Sequence, residues 1–450
     1  SLVKQLSVVF AVLSLQLNIL SLFIQFLNLN NMKKIILFLS AATMLLAYSC
    51  SSDISSAELS YTKATAIYGD LAEQRNQPLN EEARPISDPG KVYVSEDLLL
   101  IGEEGEGIHV YDNTNPENPS SLSFIRIPNN KEFYVKDNFI YAESLYDMLK
   151  IDISDKTNPR LQNRVENAFT QDFVNADGEA LIGFEFEEVR EVVEEGTNIW
   201  NEISGNNNRA FFDFEERVIP SSAVPASFAG SSDSSIGSVN RIAHSEDHVY
   251  VISNSFLTVF SDNQNLDFIQ SEQVGWRMET IYPQEKELYI GTRNSVQVYD
   301  IETPTNPRFK ASFDHVDSCD PVLPDGDVAY VTLRTNNTGC PGDVNALLVL
   351  DISQDNWISQ LQEIEMESPF GMTKIGDILY VGEGDNGLKT FDATNGRNLS
   401  LIDHDTNVQA YDVIAHPTRS DIILIASPNG FGQYRVSDTE ALSLVSMIQI

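Results

Sequence analysis

"KIDISDKTNPR" at residues 150–160 and "VYDIETPTNPR" at residues 298–308 share an apolar strand, an aspartate and an Asn-Pro turn. The same cassette recurs as "IHVYDNTNPENP" from residue 108, "LTVFSDNQNLDF" from 257 and "LLVLDISQDNW" from 347. "LKTFDATNGRN" from 388 and "GQYRVSDTEAL" from 432 complete the series. The aligned aspartates are Asp112, Asp152, Asp300, Asp351 and Asp392, with Ser261 and Arg435 in the matching places of the third and seventh copies. Most steps lie near 40 residues, and one long interruption separates the second and third copies. A period of that length is the signature of repeating blades or solenoid turns.

Each copy sits inside a longer unit. Unit one reads "KVYVSED", "LLLIGEEGEG", "IHVYDNTNPENP" and "SLSFIRI", which is four short strands rich in Val, Ile, Leu, Phe and Tyr divided by tight turns. Seven such sheets left open would expose too many long edges. Closing them radially buries a shared apolar face between neighbours. The expected fold is therefore all-β: a β-propeller of seven four-stranded blades over residues 89–450, with a short N-terminal helix and one long insertion at 171–239. Proline stops the third strand because it cannot donate to a ladder. The aspartate beside it is expected to bond nearby backbone N–H groups, a turn device rather than a catalyst.

These strands, above all "LLVLDIS" and "LKIDISD" followed by "NP", resemble the LVIVD repeat. That repeat recurs in secreted and surface β-propeller proteins of bacteria, many of them predicted lipoproteins. The resemblance is strong for units one, two, four and five and weak for units three and seven. It implies a scaffold and no particular enzyme.

The N-terminal region carries a different signal. "MKKIILFLSAATMLLAYSC", residues 32–50, has two lysines, an apolar stretch and small or polar residues before Cys50. That is the layout of a secretory signal peptide over 32–49. Its ending resembles a bacterial lipobox, which implies that Cys50 is diacylated, becomes the first mature residue and holds the protein on a membrane. Residues 1–31 read as a misassigned upstream segment, the alternative being a membrane helix over 6–28. Residues 50–88 are expected to form a polar tether and an amphipathic helix, with Ala64, Ile67, Tyr68 and Leu71 at helical spacing.

The interruption begins with "FVNADGEALIGFEFEEVREVV", which reads as a hairpin turning at Asp177-Gly178. A Ser/Gly/Pro-rich loop follows, and a degenerate eighth blade is the alternative. Cys319 and Cys340 fall at the same end of the fifth sheet. A disulfide between them is allowed by geometry and by an exported location.

With 66 acidic residues against 29 basic ones, the formal net charge is −37. Such a surface repels phosphate backbones and excludes nucleic acid as a natural partner. No nucleophile elbow, zinc-protease helix, Walker loop or CxxC motif is present. The candidate site is a loop face. Asp314, His315, Asp317 and Asp320 cluster between units four and five. Glu103, Glu104 and Glu106 of unit one and Glu383 and Asp385 of unit six are expected on the same face. Together they would form an acidic rim around a central channel, able to hold Ca²⁺ or a basic ligand, although no EF-hand spacing supports a calcium cage.

The reading that follows is a lipid-anchored module of the cell envelope, on the outer membrane or cell surface. It would bind an unknown protein or small ligand and need no cofactor. The alternative is a propeller hydrolase or lyase using His315 with acidic neighbours, or a bound metal, at the channel mouth.

Overall fold

The computed structural model describes residues 56–169, 175, 178–194, 241–253, 255–275, 278–315, 321–335, 344–354, 356–436 and 442–450. Seven antiparallel four-stranded sheets follow one another along the chain as blades over 89–126, 133–165, 242–273, 278–314, 322–365, 372–405 and 412–449. In every blade the four strands pair in sequence order, first to fourth. The cassette aligned from sequence is the third strand throughout. Asp112, Asp152, Ser261, Asp300, Asp351, Asp392 and Arg435 all stand opposite the first residue of their blade's second strand.

The aspartates do what their position before a turn suggests. Asp112 Oδ1 accepts from the N–H and hydroxyl of Thr114 at 2.9 and 2.6 Å, and Asp152 does the same with Ser154 at 2.8 and 2.6 Å. Asp351 receives Ser353, while Asp300 and Asp392 receive the N–H two residues on. The hydroxyl and N–H bonds hold the Asp112 and Asp152 carboxyls below the usual range. Just before each turn the pairing of third and fourth strands slips by one residue in all seven blades. A bulge there adds twist.

Second and third strands are buried almost throughout; Leu98–Glu103, Val328–Leu333 and Ile422–Ser427 have no exposed residue. They lie between two neighbouring blades, so both faces are apolar and the strands read as runs rather than as clean alternation. The core is accordingly divided into seven clusters, one for each seam. Leu100, Val110, Ile140 and Ile153 fill the seam between blades 1 and 2. Equivalent sets fill the seams 2–3, 3–4, 4–5, 5–6 and 6–7. Val92, Leu99, Leu424 and Phe431 fill the seam between blades 7 and 1. Since blade 1 and blade 7 each come from one continuous stretch, that last seam closes without an exchanged strand.

The cassette explains how seams match. The residue two before the aspartate position packs toward the residue one after it in the next blade. Val110 and Ile153, Val259 and Ile301, Val298 and Ile352, and Val349 and Ala393 share their clusters in this way. Two seams are polar at the same place. Lys150 Nζ bonds Asp262 Oδ1 at 2.6 Å, with Tyr141 donating to the same oxygen at 2.6 Å and His244 Nε2 2.8 Å from Oδ2. Gln433 and Asn113 exchange two amide bonds of 2.8 and 3.1 Å across the seam between blades 7 and 1.

One local expectation is corrected. The expected helix is reduced to Leu71–Arg75: Ser56–Gly69 is a strand, paired with Ala180–Glu194 in a two-stranded sheet. Thr62, Thr65 and Ile67 favour extended backbone, and pairing overrides the helical spacing of the apolar residues. Asp70 caps the helix by accepting from Ala72 N–H at 2.7 Å. Gly178 N–H donates to Asn175 O at 3.1 Å, and the strand that follows pairs with Ser56–Gly69. Residues 170–174 and 176–177, the rest of the expected hairpin turn, lie outside the described residues. A further segment, Asn80–Glu81, adds a fifth strand to the outer edge of blade 1.

The described residues show no eighth blade, and no helix among them is long and apolar enough to cross a membrane. Residues 1–31, the signal segment with Cys50, and the insertion between residues 195 and 240 lie outside the described residues.

Candidate binding face

In an up-and-down blade, the hairpins joining second and third strands and the connections between blades emerge at one end. Glu103, Ser144, Ser253, Thr292, Leu333, Glu383 and Ser427 each stand five residues on from the first residue of the second strand; they end that strand in six blades, and Glu383 directly follows it in blade 6, where it ends at Gly382. Glu104, Glu106, Asp385, Asp314 and His315 share this face with them. Asp317, Asp320, Cys319 and Cys340 lie outside the described residues.

The structure separates the acidic residues into two kinds. Glu103 is buried and holds down the connection into blade 1: its carboxylate accepts the N–H groups of Ser87 and Asp88, both at 3.1 Å, and the Ser87 hydroxyl. His109 Nε2 stands 2.8 Å from Oε2. Burial would raise the Glu103 pKa, but His109, Ser87 and the backbone donors outweigh it and hold the carboxyl down at about 2. Glu383 repeats the device in blade 6, accepting from Glu367 and Ser368 N–H at 3.0 and 3.3 Å and from Lys389 Nζ at 3.0 Å. Both are anchors of loops. Their like role at equivalent positions was not visible from the acidic composition alone.

The others face outward. Glu106 is exposed and paired with Arg84. Asp385 is exposed and receives Gln409 Nε2 at 2.7 Å and Tyr411 Oη at 3.0 Å. Asp314 ends the outermost strand of blade 4 opposite Ser295, and His315 N–H donates to Asn294 O at 2.9 Å. The structure does not bring these carboxylates into one cage. Among the described residues, no three His, Cys, Asp or Glu side chains group closely enough to hold a metal ion.

Sequence reasoning passed over the basic and aromatic residues of this face. Arg293 and Arg334 are the same position in blades 4 and 5, the first residue after the second strand. Arg293 Nε meets Glu279 Oε1 at 3.3 Å. Arg334 instead lies over the Phe370 ring, its guanidinium carbon 4.2 Å from the ring centroid, and Phe370 packs on Tyr411 at 4.7 Å between centroids. The signal in the sequence was the pair "TR" at 292–293 and "LR" at 333–334, each closing an apolar second strand.

Comparison with known proteins agrees with this architecture at its repeat. Residues 132–167, which span blade 2, match the family model of the LVIVD repeat. No curated protein sequence matches the chain. Among solved structures, the computationally designed Ika8 protein is similar at 10% identity and a TM-score of 0.48, over 83% of this chain and 92% of that one. A functionally unknown protein from Desulfotomaculum acetoxidans is similar at 11% identity and 0.47, over 78% and 96%. BamB from Moraxella catarrhalis is similar at 9% identity and 0.45, over 82% and 97%. At such identities and scores these likenesses carry no functional argument, and the propeller rests on the sheets of this chain.

Proposed function

We propose that this protein is an exported, lipid-anchored propeller of the cell envelope that serves as a non-catalytic binding or assembly module. One observation carries the reading. Each of the seven seams has its own core, so the face of the second-to-third-strand hairpins is a rigid platform, and functional loops belong on such scaffolds. Outward on that platform stand Glu106, Asp314 and Asp385, the residues a basic partner or a calcium ion would meet. Asp317 and Asp320, outside the described residues, are proposed to join them. The "LLAYSC" segment supports anchoring through Cys50, and an oxidising location supports a Cys319–Cys340 staple beside the face. The LVIVD resemblance supports a scaffold in the envelope.

The test is to tag the protein in its own host, solubilise the envelope gently, and weigh and identify what co-purifies. A stoichiometric partner that is lost when the loops at 314–320 and 333–346 are altered is expected. A bare monomer from the same preparation overturns the assembly reading. Cys50→Ser is expected to move the protein from the membrane fraction to the soluble one; an unchanged distribution overturns the anchor.

A further inference from the structure

Two arginines at one structural position have different surroundings, and the difference points to a ligand. Arg293 has a carboxylate on its own blade, Glu279, within hydrogen-bond distance. Arg334 has no hydrogen-bonded or ion-paired carboxylate among the described residues; its direct neighbour is an aromatic face. Burial pulls its pKa down to about 10, and the more distant charges of Glu279 and Tyr411 do not make up the loss. A guanidinium in that condition gains from an anion that water or a remote charge does not supply.

Phe370 is fixed by backbone bonds and by contacts on its ring. Thr332 Oγ1 donates to Phe370 O at 2.9 Å, and Phe370 N–H donates to Gly382 O at 2.8 Å. Gly384 lets the ring approach: a Cβ there would stand 2.6 Å from Phe370 Cε2. Tyr411 packs on the other flank, with its hydroxyl committed to Asp385 at 3.0 Å. Arg334, Phe370 and Tyr411 all remain partly open to solvent. A guanidinium stacked on a fixed ring leaves its N–H edge free for a planar, two-oxygen acceptor.

We propose that Arg334, from the hairpin of blade 5, and Phe370 and Tyr411, from the connections leading into blades 6 and 7, form a binding site for a monocarboxylate carrying an apolar or aromatic body. The carboxylate meets the edge of Arg334, and the body lies against Phe370 and Tyr411. The nearby carboxylates Glu279 and Asp385, and a chain of net charge −37, disfavour a dianion such as phosphate. The carboxylate can belong to a free organic acid or to the C-terminus of a peptide, and the experiment separates them. The inference rests on the binding-module reading, because it supplies that face with a ligand. Its test needs no partner protein, so its failure is distinct from failure of the assembly assay.

The measurement is calorimetric titration of the purified full chain with benzoate, with N-acetylphenylalanine as the peptide-terminus probe and with inorganic phosphate. Saturable binding of a carboxylate probe is expected, with affinity at least tenfold lower in R334Q and at least threefold lower in F370L. Melting temperatures of the variants check that they fold. If R334Q does not fold, R334K keeps the charge without the planar fork and is expected to bind at least threefold more weakly. Tighter binding of N-acetylphenylalanine assigns the site to a peptide terminus, and tighter binding of benzoate assigns it to a free acid. Absence of binding by both carboxylates, undiminished affinity in the Arg334 variant, or phosphate binding as tightly as benzoate overturns the proposal.

Discussion

The closing seam invites a decisive perturbation. Gln433 and Asn113 are 1% and 0% exposed and bond each other twice; Gln433 Nε2 also reaches Pro116 O at 3.1 Å and Ser446 Oγ at 3.3 Å. Three other seams place Val and Ile at these two positions, as in Val298 and Ile352. Gln433→Val alone leaves the Asn113 amide buried with its Gln433 partner gone, at about 2–3 kcal/mol. Asn113→Ile alone strands Gln433 Oε1 and is expected to cost about 1–3 kcal/mol. The double variant removes both partners and rebuilds the apolar pair, while Pro116 O keeps its 2.6 Å bond from Ser446. It is expected within about 1 kcal/mol of the parent, because replacing both members of a buried polar pair by apolar groups of similar shape is nearly neutral. Urea unfolding of the four proteins gives the coupling energy directly. If the double variant loses the sum of the single losses, the seam is not the interchangeable pair of positions argued for here.

Further expectations follow from single side chains. Glu103 and Asp262 are both held at about 2, below their ordinary 4.5 and 3.8, burial being outweighed by their hydrogen-bond donors. A depressed folded-state pKa contributes stability that is full above the unfolded value and lost as pH falls toward the folded one. Stability is therefore expected to drop between pH 4.5 and 2, Glu103 accounting for on the order of 3 kcal/mol. The stability gap between parent and Glu103→Gln should close over that range; a gap independent of pH refutes the assignment. Arg75 holds the nearly buried Asp147 with bonds of 2.8 and 2.6 Å, shared with Arg164 at 2.8 Å. Arg75→Ala is expected to raise hydrogen exchange in 71–76 before the blades lose protection. Gly387, at φ 109, packs so closely on Asp405 O that a Cβ cannot fit, whereas Gly105, at φ 72, faces open space. Gly387→Ala should cost more than about 3 kcal/mol and Gly105→Ala about 1–2 kcal/mol, read by thermal melting.

The blades were legible because the cassette repeats one grammar. An apolar third strand followed by a polar turn keeps its place even where Ser261 and Arg435 replace the aspartate and the proline is missing. What the cassette does across a seam was not legible. The pairing of one blade's residue with the next blade's depends on the radial closure, which no single unit states. Residues 56–69 misled for a related reason: Ala64, Ile67 and Tyr68 do recur with Leu71 at helical spacing, but the strand Ala180–Glu194, far off in sequence, supplies the partner that decides the state of the first three. The acidic face was legible in composition and opaque in role. Glu103 and Glu106 look alike in "GEEGEG", yet one is buried under backbone donors and the other is paired at the surface.

The two arginines carry that distinction to the site itself. Seam cores hold the ring together, so the position after the second strand is released from packing and can vary from blade to blade. Counted six residues on from the strand's first residue, it is Glu104 in blade 1, Leu145 in blade 2, Arg293 in blade 4, Arg334 in blade 5 and Gly384 in blade 6. In blade 4 the arginine is spent on its own Glu279. In blade 5 the next blade offers Phe370 where a carboxylate would have served stability better, because a buried or half-buried cation is costly without an anion. A scaffold has no need of that arrangement, and a pocket for a carboxylate does. The contrast between equivalent positions, rather than any single residue, is what marks this part of the face as built for a ligand.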